Sequence, residues 1–387
     1  MTDKRNIDCV KIVDQNEHLT IYSSTDYIKE SCTRLDCRGL IYADNDLICK
    51  GMPFAIEYTD ETVRTVNLNV EDWRVYDCIE GTLIRVFYFG DKWYTATNKR
   101  LNAFHSRWAS RKATFGETFA YHLRKLVNES VEQSESDVEF LTAFYDAHLD
   151  KDKRYYFMMR SSAEERIVCD TGIDPGVLFI GSTLSGCVFN FDDEIALNAA
   201  TKFPKNKQLV GYSTAEDLAN YVYERIDYRT SQGVILFRCV QDDLEAIKIV
   251  SKEYADRFAI RNSVPSLKFR YLELRCYPRA LETFFELYPS MIDVSNEIED
   301  KIYSLCKFLH ALYLKIYINH ETAVECFKEE KIALKIIHKQ YVNSLQQRVP
   351  IPTTASRIND ILSNGSPTRL NRLLKIQHSK LKRAEIE

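Results

Sequence analysis

Apolar and polar positions along this chain follow two different periods, and the change between them falls near residue 270. From about 36 to 110 the apolar residues come in short runs divided by turn residues, the pattern of strands. Gly39–Tyr42 and Leu47–Cys49 flank Asp44-Asn45-Asp46, which predicts a hairpin. A longer hairpin follows, with Gly81–Phe89 and Lys92–Thr97 on either side of Gly90-Asp91. Over 112–149 the spacing changes to three and four at Phe119, Leu123 and Leu126, then at Val138, Leu141 and Phe144, predicting helices. Strands are expected again at Tyr155–Met159, Arg166–Cys169, Val177–Gly181, Cys187–Phe191, Val234–Val240 and Leu244–Val250.

Beyond Tyr271 helical spacing takes over. Ile298, Ile302, Leu305, Leu309, Leu312 and Ile316 form one stripe, and Ala333–Leu345 continues the pattern. Val349-Pro-Ile-Pro breaks it, and Arg369–Arg383 is basic and amphipathic. The expected architecture is α+β: an N-terminal segment 1–35, a mixed body 36–270, and an all-helical C-terminal domain 271–387 with a basic tail 369–383. Tyr303, Phe308, Tyr313 and Tyr317 are expected off the apolar stripe, free to face the body or a partner.

Composition narrows the function. The chain has 387 residues, and 52 Lys+Arg against 56 Asp+Glu give a net charge of −4. A wholesale polyanion binder is excluded, so any nucleic-acid contact must come from a local patch. No apolar run is long enough to span a bilayer, and Met1–Lys11 carries no secretory pattern, so a cytoplasmic protein is expected. Eleven cysteines, an odd number with no Cys-x-x-Cys pair, read as reduced thiols rather than a disulfide or zinc framework.

Two segments carry more than composition. The first is Leu35-Asp-Cys-Arg-Gly-Leu-Ile-Tyr with Cys49-Lys-Gly-Met-Pro-Phe. The second is Asp77-Cys-Ile-Glu-Gly-Thr-Leu-Ile-Arg-Val-Phe-Tyr, then Trp93-Tyr-Thr-Ala-Thr-Asn and Thr114-Phe-Gly-Glu-Thr-Phe. Together they resemble ATP-dependent RNA ligases of the phage T4 ligase 1 type, within the covalent nucleotidyltransferase superfamily. Val264-Pro-Ser-Leu-Lys-Phe-Arg and Phe284-Phe-Glu-Leu-Tyr-Pro ahead of a long helix look like larger viral relatives, which implies a large DNA virus as the source. The resemblance implies a nucleotidyltransferase fold, with antiparallel sheets around a cleft.

In that family a lysine in Lys-x-Asp/Glu-Gly attacks ATP, two carboxylates on later strands hold Mg²⁺, and a Lys-x-Lys strand neutralises the leaving charge. This chain departs at those positions. Cys78 precedes Ile79-Glu80-Gly81 where the nucleophile belongs; Met158 or Met159 and Gln232 stand for the carboxylates; and Lys248-Ile-Val250 keeps only the first lysine. Glu80 and Gly81 are either a retained ribose contact or a strand-end turn. Lys248 is either a phosphate contact or a solvated strand lysine.

Arg38 and Lys50 fall in motifs near the triphosphate or RNA, or form a salt-bridged surface pair. Lys99 and Arg100 either meet phosphates or tip a solvated hairpin. Lys202, Lys205 and Lys207 read as a small solvated basic loop. His105 and Trp108 read as packing residues or, alternatively, as stacking platforms for a base. The tail is either a hook for nucleic acid, an anionic membrane or an acidic partner, or a terminal helix that packs its leucines at home.

The expected function is that of a catalytically inactive RNA-ligase-like protein, a binding or assembly scaffold acting on a protein partner or RNA, in the host cytoplasm or virion. No cofactor is expected. The alternative is an active RNA ligase using ATP and Mg²⁺ through a nucleotidyl-enzyme intermediate, and a third reading is an RNA-binding module that reuses the cleft.

Overall fold

A computed structural model describes residues 10–24, 38–109, 113–128, 136–161, 166–170, 172–184, 188–241 and 243–384, with the side chains of 381–384 outside that description. Cys32, Cys37, Cys187 and most of segment 1–35 lie outside the described residues. The chain divides into two compact units, Met1–Ala259 and Ile260–Glu387, so the division falls ahead of the expected 270/271.

In the first unit β1 (Val10–Gln15), β2 (Thr20–Ser24), β3 (Leu40–Ala43) and β4 (Asp46–Cys49) form one antiparallel sheet. Next come β5 (Ile56–Thr59), β6 (Arg74–Asp77), β7 (Gly81–Phe89) and β8 (Lys92–Ala96). Helices α1 (Phe115–Leu126) and α2 (Asp137–His148) precede β9 (Lys153–Arg160), β10 (Val177–Leu184) and β11 (Gln208–Leu209). Helix α3 (Ala215–Arg225), β12 (Gly233–Val240), β13 (Asp243–Val250) and α4 (Lys252–Arg261) follow. A second sheet has the order β10-β9-β7-β8, and a third the order β11-β6-β12-β13-β5. Among the described strands pairing is antiparallel except between β13 and β5.

The second sheet explains why Gly81–Phe89 lacks polar alternation. Its one face packs Ile84, Val86 and Phe157 against Phe119 and Leu123 of α1 and Leu141 of α2. The other buries Phe87 and Tyr156 with Ile21 and Ile41 of the first sheet and with Leu19 just ahead of β2. A strand covered on both faces reads as a continuous apolar run. The third sheet packs Val234, Leu236 and Ile249 under Leu218 and Val222 of α3. Thr114-Phe-Gly-Glu117, a segment that carries the family resemblance, is also a capping box that starts α1.

Two expected strands are absent. Residues 167–169 are bends, residue 166 is in no strand, and within 188–191 only an isolated bridge from Asn190 to Ser182 forms. Strands β5 and β6 and helix α3 have no counterpart in the pattern reading, being short or flanked by polar residues.

The second unit is helical: α5 (Leu267–Leu274), α6 (Pro278–Leu287), α7 (Met291–Tyr313), α8 (Lys328–Gln346), α9 (Ala355–Ser363) and α10 (Pro367–Ala384). The stripe from Ile298 to Leu312 is buried on α7, and Ala333, Leu334 and Ile337 of α8 are buried too. Tyr313 does not lie off the stripe as expected. It is buried, its hydroxyl 3.3 Å from Nδ1 of His338, because it stands four residues after the buried Leu309 on the regular helix and so shares the stripe's face. Nor is the tail a free hook. Leu370 and Leu373 are buried, and Lys380 pairs with the buried Glu330.

Candidate functional site

Strands of two sheets bring degenerate motif positions to one place. Strands β7, β9 and β10 on one side and β6, β12 and β13 on the other line a cavity of about 270 Å³. Cys78, Gly81, Met158, Gln232 and Lys248 all line it, as do Arg38 and Asn98. Positions as far apart in sequence as Arg38 and Lys248 therefore converge.

Backbone bonds set the register of this convergence. The Cys78 amide donates to the Gly233 carbonyl at 2.8 Å, and the Gln232 amide donates to the Cys78 carbonyl at 2.9 Å. The Gln232 side chain donates to the Ile79 carbonyl at 3.3 Å, which a carboxylate could not do. Gly81 is required by close approach: a Cβ there would lie 2.2 Å from the Met159 carbonyl oxygen. Met159 itself is core, so Met158 is the cavity residue of this strand.

The electrostatics run against transfer chemistry at Cys78. The residue is buried, and burial pushes its thiol up to about 11, the charge of Lys248 only partly opposing. At neutral pH it is a thiol, and the thiolate is the nucleophile. Lys248 donates to Glu57 at 3.1 Å, its side chain 19% exposed. Burial pulls its pKa down, but the Glu57 carboxylate and, where it ionises, the Cys78 thiolate more than offset this and leave it raised, so the amine stays protonated. Val250, at the second lysine position, is buried opposite Gly233 in the β12–β13 ladder.

Glu80 turns away from the cavity. Its carboxylate accepts from the amides of Ile167 (2.6 Å), Val168 (2.8 Å) and Cys169 (3.2 Å), and from the Tyr254 hydroxyl (3.0 Å). This explains the missing strand at 166–169: those amides wrap a carboxylate instead of joining a ladder. Lys50 lies outside the cavity and pairs with Asp243 at 2.7 Å on the surface. Lys99 and Arg100 form a hairpin tip, their amides donating to the Thr97 hydroxyl, and Arg100 pairs with Asp14 at 3.2 Å.

No protein-family model matches the chain. Its sequence is similar to viral proteins. It is 28% identical over 353 residues to the immediate-early protein ICP-46 homolog of Invertebrate iridescent virus 6, covering 87% of this chain and 76% of that one. It is 33% identical over 133 residues to the immediate-early protein ICP-46 of Frog virus 3 (isolate Goorha), covering 34% of this chain and 33% of that protein. Among solved structures it is similar to an archaeal ATP-dependent RNA ligase (form 1), with TM-score 0.40, 11% identity, and 90% and 91% of the two chains covered. A putative ATP-dependent DNA ligase from Aquifex aeolicus gives TM-score 0.40 and 10% identity over 76% and 78%.

Pattern reading missed three contributors to the site. Arg85 is fully buried and donates to the carbonyls of Gly39 (2.5 Å) and Thr97 (2.7 Å). It thereby fixes the backbone beside Arg38 and Asn98. A lone charge inside the apolar run Leu83–Phe89 was the available signal. Lys205 is not solvated as expected: it lines the cavity and donates to the carbonyls of Phe191 (2.5 Å) and Asp193 (2.7 Å). Burial draws its pKa down. The third is an aromatic wall of Tyr76, Phe191 and Phe237, with Tyr76 stacked on Phe191 at 5.7 Å.

Proposed function

We propose that this chain is a catalytically inactive, RNA-ligase-like viral protein that acts by binding. The observation that carries the reading is Cys78: the nucleophile position is a buried thiol held protonated at neutral pH. Around it, Met158 and Gln232 replace the carboxylates that the family resemblance implies, and Lys248 is committed to Glu57. Lysyl transfer needs a neutral amine beside a metal-bearing carboxylate pair.

What the cleft keeps is a binding surface. Arg38, Lys205 and Lys248 outnumber the carboxylates of Glu57 and Asp77 around a cavity walled by Tyr76, Phe191 and Phe237. Flat rings and cations together suit a planar, anionic ligand. A cavity of about 270 Å³ suits part of a single nucleotide or an RNA end rather than a duplex. Relatives bearing the name immediate-early protein favour a role early in infection over one as a virion component.

The test is incubation of the full chain with α-labelled ATP or GTP and Mg²⁺, then a denaturing gel. No label should remain on the protein. Label that survives denaturation would establish the active-ligase alternative.

A further inference from the structure

A second cavity, of about 350 Å³, shares no lining residue with the cleft and runs along strand β8. Four consecutive residues of that strand, Lys92, Trp93, Tyr94 and Thr95, line it. Successive side chains of a strand point to opposite faces, so a cavity that touches all four lies at the strand's edge. Strand β8 is the end of its sheet, paired only with β7.

The hairpin geometry says which backbone groups face that edge. Phe89 pairs with Lys92 across Gly90 and Asp91, whose φ values are +56° and +62°. This is the two-residue turn with both φ positive, and its flanking pair exchanges both backbone bonds. Counting along the register, Lys92, Tyr94 and Ala96 bond to β7, while the N–H and C=O of Trp93 and Thr95 point outward. Among the described residues nothing bonds to these outward groups.

The two walls of the groove differ. On the α2 side stand Trp93, Phe104 and Leu141, with Val138 56% exposed. Trp93 and Thr95 are fixed there by bonds to Asp146 (3.0 Å) and the Tyr145 hydroxyl (2.8 Å). On the other side stand Asp14, Asn16 and Tyr94, and the buried Tyr94 hydroxyl has no hydrogen-bond partner.

The geometry points to β8 as a docking edge for an extended segment of another protein, added as a further strand and alternating apolar with hydroxyl-bearing side chains. Backbone bonds to Trp93 and Thr95 hold it. The apolar side chains lie on Leu141 and Val138, and the hydroxyls face Asp14 and Tyr94. Strand addition of this kind takes affinity from the main chain and selectivity from alternate side chains. A small molecule would use the walls but not the evenly spaced backbone groups.

The probe is a fluorescein-labelled six-residue peptide alternating Val and Thr, titrated against the full chain by fluorescence polarisation. Two further peptides carry N-methyl groups on alternate amides, one set on the Val residues and the other on the Thr residues. The expected result is saturable binding that one methylated peptide loses by about tenfold or more and the other keeps, because only alternate amides face β8. Thr95→Pro, which removes an outward amide without touching the β7 ladder, should weaken binding similarly. No saturable binding, or equal loss with both methylated peptides, would overturn the proposal. So would a folded Thr95→Pro variant that binds as wild type. Self-association of the chain that Thr95→Pro abolishes would assign the edge to a second copy and overturn it likewise. If the proline variant does not fold, the two methylated peptides still decide.

Discussion

The hydroxyl of Tyr254 donates to the carboxylate of Glu80 at 3.0 Å inside the first unit, linking the start of α4 to the loop ahead of β7. Burial, reinforced by the Glu80 charge, holds the tyrosine protonated far above its ordinary range. With the amides of Ile167, Val168 and Cys169 on the same carboxylate, Glu80 takes four donors and has turned from a cleft residue into a clamp. Glu80→Gln puts an NH₂ where donors already point. It should cost about 1–3 kcal/mol in urea unfolding, with faster amide exchange at 167–169. Unchanged exchange there would remove the clamp.

Restoring a lysine should not restore transfer. Cys78→Lys places a second amine near Lys248, with Met158 and Gln232 still in place of carboxylates. Incubation with labelled ATP and Mg²⁺ should leave the variant unlabelled. Labelling by this one change would mean that other carboxylates of the lining, Glu57 or Asp77, serve in place of the positions held by Met158 and Gln232.

Gly81→Val should destabilise the first unit by roughly 2 kcal/mol or more, since the added Cβ meets backbone rather than a movable side chain. The carbonyl of Met159 belongs to the β7–β9 ladder and can withdraw only by breaking it. Thermal melts of wild type and variant decide this.

How legible was all this? The hairpin Gly81–Phe89 with Lys92–Ala96 could be read because turn chemistry and apolar runs are local. The convergence of Cys78, Met158, Gln232 and Lys248 was legible only through the family resemblance, because no local pattern links positions that far apart. Arg166–Cys169 misled for the same reason. Its Arg-Ile-Val-Cys composition favours a strand, but the partner of its amides is Glu80, far upstream. Lys205 looked solvated because the carbonyls of Phe191 and Asp193 that hold it are not visible in composition. The outward edge of β8 needed the sheet order itself.

The Cys78 thiol gives a pH test. It is neutral in both states at pH 7. Above its ordinary value of 9.0 the unfolded thiol ionises while the folded one, raised to about 11 by burial, does not. Unfolding then releases the proton, so stability is full below pH 9 and declines between pH 9 and 11. Cys306, also raised to about 11, contributes in the same window within the second unit. Cys78→Ala should lose stability at pH 7 but show a shallower decline from 9 to 11 in urea titrations of the full chain. Parallel declines would show that this thiol is not the group responsible.

The last expectation concerns the C-terminal helix. Leu370 and Leu373 are 2% and 1% exposed, and burying each contributes roughly 1.5–3 kcal/mol. Lys380 donates to both oxygens of Glu330 at 2.8 and 3.0 Å, and the Phe327 amide donates to one of them at 2.8 Å. Glu330 is 1% exposed, so losing its lysine leaves a buried charge with one amide. Lys380→Ala should therefore destabilise the second unit by about 1–3 kcal/mol, less than a fully enclosed pair, because Lys380 itself is 30% exposed. The double change Lys380→Met with Glu330→Leu should cost less than Lys380→Ala alone, since no charge is stranded. Removing 366–387 should unfold this unit rather than release a dispensable arm. Circular dichroism melts of the three variants separate a packed helix from a free hook, and a truncated chain that melts like wild type would return the helix to the second role.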